Sequence, residues 1–225
     1  MAPLVFLIDI DNTLLDNDRV KAGMESEIRR LAGEEGSEQF WNLYEVVRRE
    51  LDYVDVPLTL GRFRSVRADL RTFPQLSAML LGYPFEDDLY PEAMKVVQHL
   101  KAFGTVVVLS DGDPVFQPAK IGRIGVADAV DSNVLVYAHK EQHLEEVLSL
   151  YPADHYVLID DKAGILGRIK AVLRERLTTI HVRQGKYATG DVAAEPEGAP
   201  PDITVGGIAD VLQLGEHDFR GRGTG

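Results

Sequence analysis

The sequence predicts an α/β protein in which a doubly wound parallel sheet forms the core and an all-helical segment is inserted after the first strand. Short apolar runs rich in β-branched residues alternate with amphipathic helical patterns along most of the chain. Such runs are typical of strands buried on both faces of a parallel sheet, and their alternation with helices implies crossover connections. Residues 16–83 carry only helical patterns. We therefore expect a core of residues 1–15 and 84–225 and a helical cap subdomain of residues 16–83.

The predicted core strands are apolar runs that each end in polar residues. They lie at residues 4–8, 105–109, 135–137, 156–159, 179–182 and 203–205. Helical patterns separate them: Pro91 begins a helix that Gly104 ends, and later stripes span residues 144–151, 165–173 and 208–212. Residues 185–201 are rich in Gly, Ala and Pro and predict a loop, and residues 215–225 predict a frayed tail.

Three apolar stripes at helical spacing predict the helices of the insertion. They consist of Val20, Met24, Ile28 and Leu31; of Phe40, Tyr44, Val47 and Leu51; and of Phe63, Val66 and Leu70. Four arginines accompany the third stripe, namely Arg62, Arg64, Arg67 and Arg71. They fit either a solvated helix face, which is the more common arrangement, or a surface that steers an anionic substrate. Trp41 and Tyr44 are similarly more often core residues than ligand contacts.

The charge balance of the 225-residue chain restricts its partners. The sequence has 24 Lys and Arg against 36 Asp and Glu, which gives a net charge of −12. Nucleic-acid binding relies on cationic contacts to phosphates, so this excess of acidic residues argues against a nucleic-acid partner. A small anionic substrate remains compatible, because a local site can oppose the global charge. The absence of cysteine excludes disulfides, thiolate metal sites and thiol catalysis.

The first apolar run predicts neither a signal peptide nor a membrane span. No basic stretch precedes residues 4–8, and Asp9 and Asp11 interrupt the run at once. We therefore expect a cytoplasmic protein without a membrane partner. The sequence leaves its oligomeric state open between a monomer and a homodimer.

Reactive side chains follow three of the predicted strands. Asp9 and Asp11 follow the first strand, Ser110 follows the second, and Asp160 with Asp161 follows the fourth. Each group alone also fits a structural role as a turn, a helix cap or a solvated corner. Because ligands of doubly wound sheets bind at the carboxyl ends of the strands, the three groups would share one edge. Clustered carboxylates repel one another, and an oxygen-only donor set favours Mg²⁺ as the cation that relieves the repulsion.

Residues 9–14 (DIDNTL) resemble the DxDxT/V nucleophile loop of the haloacid dehalogenase-like (HAD) hydrolase superfamily. Further motifs follow in the order of that family: Ser110 after an apolar strand, Lys140 at the head of an amphipathic helix, and residues 160–165 (DDKAGI). This last motif is similar to the acidic motif in the branch that includes beta-phosphoglucomutase and phosphoglycolate phosphatase. The resemblance implies a Rossmann-like core with a helical cap after the first motif, and a hydrolase that uses Mg²⁺.

The resemblance also implies how the acidic residues act. Asp9 would attack phosphorus and form an aspartyl-phosphate, while Asp11 would protonate the leaving oxygen and then activate water. Mg²⁺ would be bound by Asp9, the backbone carbonyl of Asp11 and Asp161. Asp160 would act through a metal-held water or orient the metal ligands. Which of the two adjacent acids touches the metal is open from the residues alone, and the family motif favours Asp161.

A phosphate site is implied as well. The Ser110 hydroxyl and the backbone N–H groups of Asp111 and Gly112 would hold the phosphate. Lys140 would neutralise both the phosphate and the nucleophile.

Other basic residues compete for these roles. Lys120 also follows Ser110, but its place ahead of the apolar run at residues 121–124 predicts a surface helix. His139 and His143 are expected to be surface or core residues, because Mg²⁺ prefers oxygen ligands.

Several functions stay open, of which a phosphatase acting on a small phosphorylated substrate is favoured. A phosphomutase of the same fold would return the phosphoryl group to its substrate instead of transferring it to water. The dehalogenases of the superfamily lack a carboxylate at the position of Asp11, and a halide leaving group needs no acid. A phospho-accepting receiver module would carry its acceptor after a middle strand and lack the insertion. A non-catalytic binding protein would have lost the acidic residues, which are all present.

Overall fold

The fold is organised around parallel strands that match the predicted apolar runs. The computed structural model describes residues 3–186 and 199–221. The strands are β1 (Leu4–Ile8), β2 (Thr105–Asp111), β3 (Val134–Tyr137), β4 (His155–Asp160), β5 (Leu177–Val182) and β6 (Ile203–Val205). They lie in the order β3-β2-β1-β4-β5-β6, and all neighbouring pairs are parallel. The predicted α/β fold class with a parallel sheet is confirmed.

The strand order reverses at β1, and this reversal determines where a site can form. The chain runs from β1 through β2 to β3, then crosses to the other side of β1 and continues through β4 and β5 to β6. In a doubly wound sheet, such a reversal opens a crevice at the carboxyl ends of the strands beside it. The residues that follow β1, β2 and β4 therefore meet at one edge of the sheet.

Both faces of the central strand are covered. All five residues of β1 are buried. Phe6 and Ile8 join a core on one face of the sheet, whereas Leu7 packs on the other face with Val107 and Leu158. This two-sided burial explains the unbroken apolar run, because an alternating pattern would expose polar residues to one of the cores.

Four α-helices lie between β1 and β2 along the chain, and we call the first three the helical insertion. These three are α1 (Asn17–Leu51), α2 (Val56–Val66) and α3 (Phe73–Leu81). The first two predicted stripes belong to one bent element, α1, which is interrupted at Gly33 (φ 78°, ψ 174°). Glycine reaches this left-handed region without the steric cost that a Cβ imposes. The division of the chain at residues 16 and 83 into two subdomains stays a prediction.

The rest of the helical insertion differs from the predicted pattern. α2 ends at Val66, which is 56% exposed, and Leu70 lies beyond the helix. α3 was not predicted; its Leu76 and Leu80 are buried in the core. The third stripe is therefore helical only in its first half, and a separate short helix provides the remaining apolar contacts.

The remaining helices cover the sheet. They are α4 (Ala93–Lys101), α5 (Phe116–Arg123), α6 (Val126–Ala129), α7 (Leu144–Leu150), α8 (Ala163–Leu173) and α9 (Glu216–Phe219), with a 3₁₀ segment at Ile208–Gln213. α4 begins at Ala93 instead of Pro91, because Glu92 adopts a left-handed conformation (φ 66°) that separates Pro91 from the helix. Across the described parts of the chain, no helix has the length and apolar character needed to span a bilayer.

The C-terminal segment is packed where the sequence predicts a frayed tail. Phe219 of α9 is fully buried, and its ring lies edge-on to Phe6 and Phe103 at centroid distances of 5.0 and 5.3 Å. The tail prediction is therefore wrong for residues 215–221, because a single aromatic residue fixes the segment to the core. Residues 222–225, and residues 187–198 of the predicted loop, lie outside the described part of the chain.

Candidate active site

The candidate active site lies at the carboxyl edge of β1, β2 and β4. Asp9 directly follows β1, and its backbone N–H donates to the carbonyl of Ile159 in β4 at 3.0 Å. Asp160 ends β4, and Asp161 follows it. Ser110 is buried near the end of β2. The structure thus brings these predicted site residues to the edge where the strand order reverses.

Lys140 joins two of the carboxylates in the interior. Its Nζ lies 2.7 Å from Asp9 Oδ1 and 2.6 Å from Asp160 Oδ2, and it donates to the Leu109 carbonyl at 3.2 Å. Burial opposes the charged form of this fully buried side chain, but the two carboxylates outweigh it and raise the pKa of Lys140 well above its ordinary value. The ammonium group thus makes two hydrogen bonds, to Asp9 and Leu109, and an ion pair with Asp160.

Asp161 completes a group of three buried carboxylates. Asp9, Asp160 and Asp161 each place one oxygen within 4.8 Å of the others. Both oxygens of Asp161 are buried, and neither has a hydrogen-bond partner among the described residues. Burial raises the pKa of Asp161 to about 9, and the charges of Asp160 and Asp9 act in the same direction. Burial also raises the pKa of Asp9 to about 7, against the opposing charge of Lys140.

This group fits a hard divalent cation. Buried oxygens without a partner are costly, and a cation satisfies them directly. The donor set consists only of oxygen, which suits Mg²⁺. The two nearby histidines have other contacts: the His143 ring stacks on Tyr137 at 4.2 Å, and the His139 ring lies edge-on to Tyr53 at 6.2 Å.

The carboxylate of Asp160 has protein contacts that the carboxylate of Asp161 lacks among the described residues. One of its oxygens accepts the backbone N–H of Lys162 at 2.8 Å, and the other forms the ion pair with Lys140. Among the described residues, Asp161 is therefore the carboxylate of this pair with neither oxygen engaged, which suits it to meet a cation. The metal contact predicted for the backbone carbonyl of Asp11 stays a prediction.

Lys120 is buried and forms an ion pair with Asp11, so the prediction of a surface helix is wrong for this residue. Its side chain is 4% exposed, and its Nζ lies 2.6 and 2.8 Å from the two carboxylate oxygens of Asp11. Gln117, one helical turn earlier on α5, donates through Nε2 to Ser110 Oγ at 2.9 Å and to Asp11 Oδ2 at 3.3 Å. The sequence signal was the i, i+3 spacing of two polar residues on the helix that follows Ser110.

The turn after β2 forms hydrogen bonds that differ from the predicted ones. The Gly112 N–H donates to the Tyr137 carbonyl at 2.8 Å, so it is not available to the phosphate as predicted. A Cβ at Gly112 would lie 2.7 Å from the Cβ of Gln117, and glycine therefore makes room for that side chain. Asp111 Oδ1 accepts the backbone N–H of Lys140 at 2.8 Å. The phosphate contact expected from the Asp111 N–H stays a prediction.

Lys162 is a cation that the sequence analysis left without a role. It lines the cavity described below, and its Nζ lies 3.8 Å from Asp111 Oδ2, a longer distance than those of the other site lysines. Burial lowers its pKa, but the charges of Asp9 and Asp160 dominate and raise the pKa of Lys162 above its ordinary value. Its position directly after the two acids of β4 was the signal in the sequence. Lys162 thus holds a positive charge at the cavity wall, and within the described part of the chain its ion-pair partner is the Asp111 carboxylate at 3.8 Å.

A cavity of about 460 Å³ joins this edge to the helical insertion. Asp11, Asp161 and Lys162 line its core side, and Trp41 and Tyr44 line the side formed by α1. The rings of Trp41 and Tyr44 lie edge-on at 5.1 Å, and both pack against the core, so they combine core packing with a place in the cavity wall.

The four arginines of the third stripe lie away from this cavity. Arg62 pairs with Glu50 at 2.7 Å, and Arg64 donates to the Ala68 carbonyl at 2.6 Å. Arg67 lies 3.7 Å from Asp69, and Arg71 is exposed. Arg62 and Arg64 lie within α2, whereas Arg67 and Arg71 follow its end, so the four arginines neither share one helix face nor line the cavity.

Comparison with known proteins identifies a family. No family model matches the sequence, and no curated protein matches it. Among solved structures, a haloacid dehalogenase-like hydrolase from Burkholderia xenovorans LB400 is 42% identical and superposes with a TM-score of 0.88. The match covers 95% of this chain and 97% of that chain.

More distant solved structures share the fold alone. An L-2-haloacid dehalogenase from Xanthobacter autotrophicus with covalently bound chloropropionic acid is 18% identical, with a TM-score of 0.59 over 93% of this chain and 97% of that chain. A HAD-hydrolase from Bacillus subtilis bound to magnesium is 12% identical, with a TM-score of 0.63 over 95% and 98%. The match to the Burkholderia protein is much closer and spans nearly the whole of both chains. By this relationship the chain belongs to the haloacid dehalogenase-like hydrolases, a family of enzymes.

Proposed function

We propose that the chain is a Mg²⁺-dependent phosphatase that cleaves a small phosphorylated metabolite through an aspartyl-phosphate on Asp9. The observation that carries the proposal is the carboxylate of Asp11, which lines the cavity two residues after Asp9 and is held by Lys120. An alkoxide that leaves phosphorus needs a proton, whereas a halide that leaves carbon does not. A carboxylate at this position therefore suits a phosphate ester better than a carbon–halogen bond.

The residues of the chain account for both halves of the reaction. In the first half, Asp9 attacks phosphorus, the bond to the leaving oxygen breaks, and Asp11 donates a proton to that oxygen. In the second half, Asp11 accepts a proton from a water whose oxygen attacks phosphorus, and the bond to Asp9 breaks. Asp9 thereby returns as a carboxylate, and Lys140 orients it through the contact at 2.7 Å.

Charge neutralisation is the other requirement of phosphoryl transfer. Mg²⁺, when bound, would supply positive charge to the phosphate oxygens. Asp9 and Asp161 would hold it directly, and Asp160 would orient the group through its contacts with Lys140 and Lys162. The unpartnered oxygens of Asp161 and the oxygen-only donor set support this assignment.

The first prediction concerns the nucleophile. The purified protein with Mg²⁺ should release phosphate from p-nitrophenyl phosphate, and Asp9→Asn should lower kcat by about 10³-fold or more because no covalent intermediate can form. Asp128→Asn, which changes an exposed acid of α6, serves as the matched control and should retain wild-type rates. Circular dichroism checks the fold of both variants. Wild-type turnover by Asp9→Asn, or full activity in EDTA, would contradict the proposal.

A screen of phosphorylated metabolites identifies the substrate and separates the competing reactions. Conversion of a hexose 1-phosphate into its 6-phosphate without phosphate release would indicate a phosphomutase. Chloride release from 2-chloropropionate, without release of phosphate from any ester, would indicate a dehalogenase.

A second prediction concerns Lys162. Because its ammonium lines the cavity, and its carboxylate partner among the residues that the structure describes is 3.8 Å away, we expect it to bind a phosphate oxygen. Lys162→Met should weaken inhibition by inorganic phosphate about tenfold or more, since a hydrogen bond to a charged group contributes about 1.5–3 kcal/mol. Lys162→Arg should restore part of the affinity. An unchanged inhibition constant in Lys162→Met would show that other groups bind the phosphate.

A further inference from the structure

Lys120 is a buried lysine whose ammonium group contacts the side chain that the proposed mechanism uses for proton transfer. We propose that Lys120 is a positioning residue that fixes the Asp11 carboxylate for its reaction with water, with Gln117 as a second support. The proposal rests on the proposed phosphatase function and deepens it.

The contacts of Lys120 restrict the orientation of the Asp11 carboxylate. Lys120 Nζ contacts both oxygens of Asp11, at 2.6 and 2.8 Å, and a two-point contact restricts rotation of the carboxylate more than a single hydrogen bond does. The Lys120 side chain is 4% exposed, whereas that of Asp11 is 29% exposed and lines the cavity. Both residues border the cavity, and the carboxylate is the more accessible of the two.

Gln117 extends the same arrangement to the phosphate site. Its Nε2 reaches Asp11 Oδ2 at 3.3 Å and Ser110 Oγ at 2.9 Å, so one amide links the proton-transfer residue to the predicted phosphate-binding hydroxyl. Gly112 permits this position, because a Cβ there would lie 2.7 Å from the Cβ of Gln117. The turn after β2 and helix α5 therefore support Asp11 together.

A purely structural role explains these contacts less well. This ion pair contributes little net stability, because burial removes the hydration of the lysine while the carboxylate stays partly exposed to water. An apolar residue at position 120 would join the neighbouring Ile121 and Ile124 in the core without that loss. The ion pair instead places one carboxylate in a defined orientation at the cavity, which is what proton transfer requires.

The choice of substrate isolates the step in which Lys120 acts. The p-nitrophenolate group leaves phosphorus without needing a proton, so formation of the aspartyl-phosphate from this substrate depends little on Asp11. Its hydrolysis still requires Asp11 to accept the proton of water while the oxygen of water bonds to phosphorus and the phosphorus–Asp9 bond breaks. A wrongly oriented Asp11 carboxylate should therefore slow the hydrolysis of the aspartyl-phosphate and not its formation.

The test measures kcat and KM separately for p-nitrophenyl phosphate. Lys120→Met should lower kcat about 10- to 100-fold through misplacement of Asp11. KM should fall in parallel, and kcat/KM should stay within about twofold of wild type, because kcat/KM reports only the steps up to the covalent intermediate. Stopped-flow absorbance should show an initial burst approaching about one p-nitrophenolate per active site.

Further variants test whether Lys120 acts through Asp11. Lys120→Gln keeps a donor near Asp11, so it should lower kcat less than Lys120→Met does and leave kcat/KM close to the wild-type value. It also replaces Lys120→Met in this test if that variant fails to fold. The double variant Asp11→Asn, Lys120→Met should turn over no more slowly than Asp11→Asn alone, because the lysine then has no carboxylate to orient. Lys95→Met, which changes an exposed lysine of α4, is the matched control and should behave as wild type.

The possible outcomes separate this inference from the proposed function. Unchanged kcat in Lys120→Met, or a fall of kcat/KM together with kcat, would overturn the positioning role while leaving the phosphatase intact. Absence of phosphate release by the wild-type enzyme would overturn the phosphatase and the inference together.

Discussion

Asp161 is held in surroundings that disfavour its own charge. Its two oxygens are buried without a partner among the described residues, and Asp160 and Asp9 lie beside it. Burial is the largest cause of the rise of its pKa from the ordinary value of 3.8 to about 9, and the charges of Asp160 and Asp9 add to it. Without a cation, the folded protein therefore keeps a proton on this side chain over a range of pH in which the unfolded chain has lost it.

This difference predicts a dependence of stability on both pH and Mg²⁺. Because the folded-state pKa is raised, the contribution of Asp161 to the stability of the metal-free protein should fall as pH rises from about 4 to about 9. Mg²⁺ needs the deprotonated carboxylate, so the increase in Tm that it produces should be larger at about pH 8.5 than at about pH 6. Differential scanning fluorimetry with Mg²⁺ or EDTA measures both effects.

Asp161→Asn provides the control for this experiment. The amide carries no titrating proton and binds Mg²⁺ more weakly, so the variant should lose most of the Mg²⁺-dependent rise in Tm. The exposed Asp128→Asn variant should keep it. An equal shift at both pH values, or a full shift in Asp161→Asn, would show that the cation binds elsewhere.

At the scale of single elements, the short helix α9 shows how few contacts can order a segment. Phe219 is fully buried, and its ring contacts Phe6 of β1 edge-on. Phe219→Ala should lower the free energy of unfolding by about 3–5 kcal/mol, because it leaves a cavity in the core. Val172→Ala, at a position that is 64% exposed, should change it by less than about 0.5 kcal/mol.

Chemical denaturation of both variants measures this difference. A loss below about 1 kcal/mol in Phe219→Ala would indicate that the segment contributes little to the core. Such a result would agree with the frayed tail that the sequence alone predicts.

The strands, which are covered on both faces of the sheet, were the easiest elements to predict. The strands were found because two-sided burial forces an apolar residue at nearly every position, as in β1. The helical insertion was harder, since α1 continues past a bend at Gly33 and α3 carries only nine residues. α9 was missed because a four-residue helix with one aromatic anchor has no periodicity to detect.

At the scale of the whole molecule, the site residues that belong to family motifs could be predicted from the sequence. The family motifs indicated Asp9, Ser110, Lys140 and the acids of β4, and the parallel sheet gathers them at one edge. The role of Lys120 could not be found in this way, because its partner Asp11 lies 109 positions away in sequence and only the fold brings them together. The hydrogen bond of the Gly112 amide was missed for the same reason, since its acceptor belongs to β3.

The buried ion cluster carries a further consequence, which concerns the valence of the ion it accepts. Asp9, Asp160 and Asp161 would contribute three negative charges when ionised, and Lys140 contributes one positive charge, all at buried residues. The remainder is −2, which a doubly charged ion cancels. A monovalent ion would leave an uncompensated charge in a region of low dielectric constant, and a trivalent ion would reverse its sign. Electroneutrality of the interior therefore favours divalent ions, independently of their size or preferred geometry.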